Sequence, residues 1–299
     1  MSVYNGERYL RPAVESILAQ TFADFEFVII DDGSTDASPS ILRQYADRDP
    51  RVVVTVRAHK GVPATLNEAF AMSRGKYIAR MDCDDVALPE RFARQVALLD
   101  ADPAVACTGG SFQLIDGRGR LLTTLNPPAD DAAIQAKLLR GHTAICHSCA
   151  MIRRMAMERV GGYDTRFTTA QDLDLWLRLG EVGTLANLAE TVLQFRLHES
   201  SVSETKREQQ REMGRLACDE AWRRRGLTGM TYEADEPWRP GRDRASKHHF
   251  AMQYGWWAWG SGQRRTALHY AAKGIAARPL KAEGWNLAAC AILKPRAGG

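Results

Sequence analysis

Apolar positions along the first two-thirds of the chain fall into two periodicities. Short apolar runs at residues 25–30, 51–56 and 76–81 read as buried strands, and segments of helical spacing lie between them. That alternation predicts an α/β fold with a mostly parallel sheet covered by helices on both faces. The first helix is expected over about residues 8–20, with Tyr9, Val14, Ile17 and Leu18 turned to the core and Pro12 in its first turns. A second opens with Ser38 as N-cap and Pro39 at the first helical position. A third spans about 63–73 and is closed by Gly75. Further helices are predicted from Pro89-Glu90-Arg91 through Leu99, and over 132–139, 154–160 and 171–179. Apolar runs near Val105 and at 112–115 lead into an Asp116-Gly117 turn, and a last strand-like stretch covers 191–197.

From about residue 205 the pattern changes. Strand signals fade, and helical spacing links Phe250, Tyr254 and Trp257, then Ala267, Tyr270, Ala271 and Ile275, with Gly262 and Pro279 as punctuation. The expected division is an α/β domain over 1–204 and a small C-terminal helical region over 205–299. One helical hairpin followed by a third helix is too little for a solenoid, which needs at least three repeats. The cations Lys206, Arg207, Arg211, Arg215, Arg223, Arg224 and Arg225 are read first as a solvated helix face. Peripheral contact with an anionic membrane is the alternative.

Composition narrows the class without naming a function. Hydrophobic residues make up 45% and charged residues 25% of 299, which excludes a disordered or fibrous chain. The net charge of +4 suits an anionic ligand or membrane surface and does not call for nucleic acid. No apolar stretch approaches the roughly 20 residues that cross a bilayer, and the N-terminus has no signal-like pattern. The expected location is therefore cytoplasmic, with the inner face of the membrane as the extension of that reading. The six cysteines, scattered through a long chain without a secretory signal, are read as reduced thiols, and Cys146-x-x-Cys149 lacks the second pair a structural zinc would need.

Candidate chemistry gathers where apolar runs end. Residues 25–30 run into Asp31-Asp32-Gly33-Ser34, and 76–81 into Asp82-Cys83-Asp84-Asp85. Open α/β sheets bind ligands at the carboxyl ends of their strands, and a carboxylate there is costly unless it meets a donor or a metal. Asp82-x-Asp84 offers hard oxygen ligands for Mg²⁺ or Mn²⁺, although one such motif alone reads more readily as a polar loop or helix cap. In the segment 171–179, Asp172 shares a helical face with Leu175, Trp176 and Leu179, whereas Asp174 sits four residues before Arg178 as an expected exposed ion pair.

Four segments together resemble glycosyltransferase family 2. They are Ser2-Val3-Tyr4-Asn5-Gly6-Glu7-Arg8-Tyr9-Leu10, Ser16-Ile17-Leu18-Ala19-Gln20-Thr21-Phe22, Ile30-Asp31-Asp32-Gly33-Ser34-Thr35-Asp36 and Gly75-Lys76-Tyr77-Ile78-Ala79-Arg80-Met81-Asp82-Cys83-Asp84-Asp85. They follow the family's order over about residues 1–203. The resemblance implies a Rossmann-like GT-A fold and an inverting, metal-dependent transfer from a nucleoside-diphosphate sugar to a sugar or lipid-linked acceptor, in polysaccharide or glycolipid synthesis. It further implies Tyr4 and Asp32 at the nucleotide base, Asp82 at the nucleotide, Asp84 at a Mg or Mn ion, and Asp172 as the catalytic base. Lys60 and Arg80 are expected to offset phosphate charge. His198, in Arg196-Leu197-His198-Glu199-Ser200-Ser201-Val202-Ser203, is the candidate that completes the metal shell. His147 and the turn at Gly161-Gly162-Tyr163-Asp164 are acceptor-side candidates. Gln171 stands where the family more often has Glu. Only Met1-Ser2-Val3 precede Tyr4, where the family has an apolar strand, so a chain extended upstream is expected to be more stable. The alternative function is a catalytically silent nucleotide-sugar-binding or interaction protein on the same fold.

Overall fold

The computed structural model describes residues 1–198, 207–233 and 243–293. They divide into two compact units, one of 1–112, 126–194 and 207–233, the other of 113–125, 195–198 and 243–293.

In the first unit, β1 (Ser2–Val3), β2 (Phe27–Asp31) and β3 (Val52–Val56) form a parallel sheet in that order, with Ser2 beside Ile30 and Phe27 beside Val52. Their connections are α1 (Glu7–Leu18) and α2 (Ser38–Ala46), the helical crossovers that parallel pairing requires. All five residues of β2 are buried, as in a strand covered on both faces. Next come α3 (Val62–Met72) and β4 (Tyr77–Ala79), after which Asp82 forms a parallel bridge with Ser2 on the free side of β1. Tyr4, Asp32 and Asp82 thereby follow three parallel stretches that end along one edge.

Beyond β4 the pairing turns antiparallel. The second sheet runs β4-β8-β6-β9-β5, made with β5 (Val86–Ala87), β6 (Val105–Asp116), β8 (Met151–Arg153) and β9 (Thr184–Leu197). β8 is antiparallel to β4 and β6, and β5 to β9. The α/β class is as expected, but the parallel part stops where helical crossovers stop. The apolar run at 76–81 is strand only over 77–79, and the stretch expected at 191–197 belongs to a strand that starts at Thr184.

The core of this unit gathers α5 (Asp131–Leu138), α6 (Arg154–Val160), α7 (Gln171–Leu179) and α8 (Arg207–Arg225) around Phe167, Leu175 and Trp176. Compactness does not follow the boundary read at 204. Ala217, Cys218 and Ala221 of α8 are in this core, and Trp222 Nε1 donates to the Leu139 carbonyl at 2.9 Å. Two residue-level expectations change. Leu18 is only half-buried, and Leu10 and Ala13 take the core positions of α1. Asp174 pairs with Arg178 as spaced, but it is 1% exposed instead of solvent-facing, because α8 packs on that side of α7. In the basic run, Lys206 lies outside the described residues, as does the side chain of Arg207. Arg224 and Arg225 grip Glu181, while Arg211, Arg215 and Arg223 are exposed.

The second unit contains the tip of β6, its hairpin partner β7 (Leu121–Leu125), and the helices α9 (Arg244–Gly260), α10 (Arg264–Ala277) and α11 (Ala282–Leu293). The predicted turn is present: Asp116 accepts from the amides of Arg118 and Arg120 at 2.8 and 3.0 Å, and from Tyr270 Oη at 2.9 Å. Gly255 in the middle of α9 leaves no room for a Cβ against Leu287, so α9 and α11 meet nearly backbone to side chain.

Candidate active site

β2 delivers two carboxylates into a turn. Asp31 folds back to accept from the Ser34 amide at 2.9 Å. Asp32, almost fully buried, is ringed by its own chain. Oδ1 accepts from Arg57 Nη1 at 2.5 Å and the Lys60 amide at 2.9 Å, while Oδ2 meets the Gly61 amide at 2.9 Å and His59 Nδ1 at 3.0 Å. A carboxylate has about four acceptor sites, so these contacts nearly saturate it. The loop after β3 is thus gathered onto the end of β2. Gly33 permits this with φ +83°, where a Cβ would come 2.9 Å from the His59 nitrogen.

The Asn5-Gly6-Glu7 segment is stitched to the same turn. Asn5 Oδ1 accepts from the Thr35 amide at 2.8 Å, Ser38 Oγ from the Gly6 amide at 2.9 Å, and Glu7 Oε2 from the Ala37 amide at 2.8 Å. Asn5 is held at φ +50°, a conformation that L-residues rarely adopt and that concentrates at functional sites. Tyr4 is left half-exposed, with its ring centroid 4.5 Å from that of His59. Arg57 and His59 carried no motif that the sequence could reveal. Lys60 contributes its amide, and its ammonium lies 3.6 Å from Glu68.

The stretch after β4 brings the acidic motif together. Asp82, Asp84 and Asp85 place ligand oxygens within 4.8 Å of one another. Among the described residues this is the one group of three or more His, Cys, Asp or Glu side chains spaced to hold a cation, so Cys146 and Cys149 form no such centre. Three hard oxygen donors fit Mg²⁺ or Mn²⁺. Asp85 was missed in the sequence because the Asp-x-Asp pattern ends one residue earlier. Arg80 is 7% exposed and ion-paired with Asp82. Burial works against its charge, but Asp82 prevails and raises the guanidinium pKa above the ordinary arginine value. The motif is braced from below. Ser148 Oγ accepts from the Asp82 amide at 3.0 Å, and fully buried Arg91, opening α4 (Arg91–Ala101), donates to the Arg80 carbonyl at 2.6 Å. Burial lowers the Arg91 pKa to about 10, so it stays charged at neutral pH.

Asp172 stands in the first turn of α7, entered through Ala170 at φ +56°, the second strained non-glycine residue of the described chain. Burial raises the Asp172 pKa. Amides of its own turn and Arg80 pull it back, and Asp82 pushes it up again. Arg80 also reaches His147 and Tyr163, whose Nε2 and Oη lie 2.9 Å apart. Burial, reinforced by Arg80, takes His147 well below its usual pKa and leaves a neutral imidazole. Trp176, one turn after Asp172, packs against His147 with 5.9 Å between ring centroids. Its Nε1 and Thr169 Oγ1 are buried with no hydrogen-bond partner among the described residues.

Of the residues expected in the site, Arg80, Asp82, Asp84 and Asp172 share one electrostatic neighbourhood, and Tyr4, Asp32 and Lys60 surround His59 at the adjoining strand ends. His198 belongs to the second unit, just past β9, and residues 199–203 of its segment lie outside the described residues.

The sequence profile of the family described as Glycosyl transferase family 2 matches residues 1–161. EpsE of Bacillus subtilis, described as a glycosyltransferase, is 34% identical over 201 residues, which cover 66% of this chain and 71% of that protein. The O-antigen biosynthesis glycosyltransferase WbnJ of Escherichia coli is 31% identical over 210 residues, covering 69% of this chain and 81% of WbnJ. Among solved structures, the mannosyltransferase PcManGT from Pyrobaculum calidifontis, in complex with GDP-Man and Mn²⁺, superposes with a TM-score of 0.55. The match covers 98% of this chain and 78% of that one at 19% identity, and it shows the shared GT-A fold.

Proposed function

Because the chain belongs to glycosyltransferase family 2, we propose that it transfers a sugar from a nucleoside-diphosphate donor to an acceptor hydroxyl with inversion at the anomeric carbon. The observation that carries this reading is the arrangement of four carboxylates around one buried arginine: Asp82, Asp84 and Asp85 at one strand end, and Asp172 within electrostatic reach of Asp82 and Arg80.

Tyr4 and His59 present ring surface to the nucleotide base, and Asp32, through the amides of Lys60 and Gly61, fixes the loop beside them. The Lys60 ammonium is offered to phosphate, and Asp82 and Arg80 to the ribose-diphosphate side. Asp84, with Asp85 and Asp82, would hold the divalent cation. Bound there, Mg²⁺ or Mn²⁺ supplies charge neutralisation for the departing diphosphate. The acceptor oxygen attacks the anomeric carbon as the bond from that carbon to the diphosphate oxygen breaks, and its proton passes to Asp172. A carboxyl whose pKa is raised by burial is better matched to that task than a free one. Neutral His147, Tyr163 and the unpartnered Trp176 Nε1 offer hydrogen bonds to the acceptor. A sugar or lipid-linked acceptor in polysaccharide or glycolipid assembly is the acceptor class we infer, and the name of the O-antigen biosynthesis relative supports polysaccharide assembly. Among the described residues no helix is long and apolar enough to cross a membrane.

The test is turnover of UDP-, dTDP- and GDP-sugars with Mn²⁺ or Mg²⁺, by wild type, Asp84→Ala and Asp172→Asn. Asp172→Asn is expected to lower kcat by ~10²–10⁴-fold while keeping donor affinity. Asp84→Ala is expected to abolish the metal-dependent activity. Wild-type rates in either variant would overturn the assignment.

A further inference from the structure

The positive charge of this protein is concentrated in its last three helices. Residues 243–293 contain seven cations, Arg244, Lys247, Arg264, Arg265, Lys273, Arg278 and Lys281, against two carboxylates, Asp243 and Glu283, a balance of +5 in a chain whose total is +4. Both carboxylates are already engaged. Asp243 caps α9 by accepting from the Ala245 and Ser246 amides at 2.8 and 2.9 Å, and Glu283 takes His248 Nε2 at 2.7 Å.

The same region exposes large apolar side chains. Leu280 is 100% exposed, Leu293 78%, Ile292 61% and Trp285 56%. They are outside the core for a geometric reason. α11 turns Gly284, Leu287 and Ala291 inward, at spacings of three and four, which leaves Trp285 and Ile292, two turns apart, on an outer face. Trp285 Nε1 donates to the Pro279 carbonyl at 3.0 Å, which ties the indole to the turn carrying Leu280. Cations stand at both ends of this strip. Arg278 and Lys281 flank Leu280, and Arg264 donates to the carbonyls of Ala291 and Ile292 at 2.8 and 2.7 Å, beside Ile292 and Leu293. Over the 12 residues of α11 the strip is about 18 Å long.

We propose that α11 and the turn before it form the face by which this protein docks on an anionic lipid bilayer. Leu280, Trp285, Ile292 and Leu293 enter the headgroup boundary, and Arg264, Arg278 and Lys281 meet lipid phosphates. Exposed apolar side chains with an indole among them suit the headgroup boundary, and the cations that α10 and the preceding turn place at the ends of the strip suit anionic lipid. The charge selects the occupant, since a second copy of this face would set Arg264, Arg278 and Lys281 against their own counterparts. The basic run of α8 is less suited, because Arg224 and Arg225 are committed to Glu181. This inference does not rest on the glycosyl-transfer reading.

The experiment is sedimentation of the full chain with vesicles of phosphatidylcholine alone or mixed with phosphatidylglycerol. Partitioning is expected to be on the order of tenfold greater into the anionic vesicles and to weaken with added salt. The variant combining Trp285→Ser, Ile292→Ser and Leu293→Ser, all at exposed positions, is expected to lose about tenfold in partitioning with its circular dichroism unchanged. Arg278→Glu with Lys281→Glu should remove the preference for anionic lipid. Equal partitioning of wild type into both vesicles, no partitioning, or unchanged binding of the serine variant would overturn the proposal. So would conversion of an oligomer to a monomer by the serine variant, which would assign the face to self-association. Transfer to a soluble acceptor is expected to be unchanged in every one of these variants, so this test and the test of the catalytic reading fail separately.

Discussion

At the scale of single residues, Asp172 and Asp174 show what spacing can and cannot say. The interval of four between Asp174 and Arg178 correctly paired them, but exposure depends on what packs against the helix, and no local pattern announces α8. Burial works against the charge of Asp172 and raises its pKa, and that has a cost. Its carboxyl binds a proton more tightly in the folded chain than in the unfolded one, so the folded state is favoured in acid and that advantage is lost as pH rises through the raised folded pKa. Asp172→Asn removes a charge that desolvation opposes. The variant is therefore expected to melt a few degrees above wild type near neutral pH, with the gain shrinking to nothing below the ordinary carboxylate range, near ~4. Thermal melts of both proteins across that window check this, and a variant less stable than wild type at pH 7 would contradict it.

At the scale of elements, the turn after β2 depends on one glycine more than on any charged side chain. Gly33 has φ +83°, and a Cβ there would meet the His59 nitrogen at 2.9 Å and the Arg57 carbonyl oxygen at 3.2 Å, both backbone atoms that cannot swing aside. Those two residues belong to the loop that surrounds Asp32, so Gly33→Ala should disturb the donor side without touching Asp172. The expected loss is about 1–3 kcal/mol of stability, with donor KM rising more than kcat falls. Urea denaturation and steady-state kinetics measure the two parts; full stability in the variant would show that the turn relaxes freely. The glycine and both aspartates were legible as a turn signal after an apolar run. The partners of Asp32 were not, because Arg57, His59, Lys60 and Gly61 approach through a strand pairing that brings residues some 25 positions away alongside.

Across the whole molecule, the strand ends carrying Tyr4, Asp32 and Asp82 were readable as one edge because parallel strands joined by helices must end on the same side. The antiparallel half was not readable, since β6 and β9 show long apolar patterns that do not disclose their partners. The placement of α8 was missed for the same reason, being fixed by contacts distant in sequence. The convergence of carboxylates then predicts how stability answers to ligand. Asp82, Asp84 and Asp85 repel one another across at most 4.8 Å, and a divalent cation that binds only this arrangement stabilises the fold by mass action. At a hundredfold excess over Kd the gain is about 2.7 kcal/mol, which in a unit of roughly 200 residues corresponds to a melting shift on the order of 5–10 °C. Mn²⁺ with a nucleoside diphosphate is expected to produce such a shift, EDTA to reverse it, and Asp84→Ala to eliminate it. Because Asp172 is not a proposed ligand, Asp172→Asn should keep the full shift while losing turnover. If both variants lost the shift, the separation of metal holding from proton acceptance would fail; if neither did, the cation would bind elsewhere.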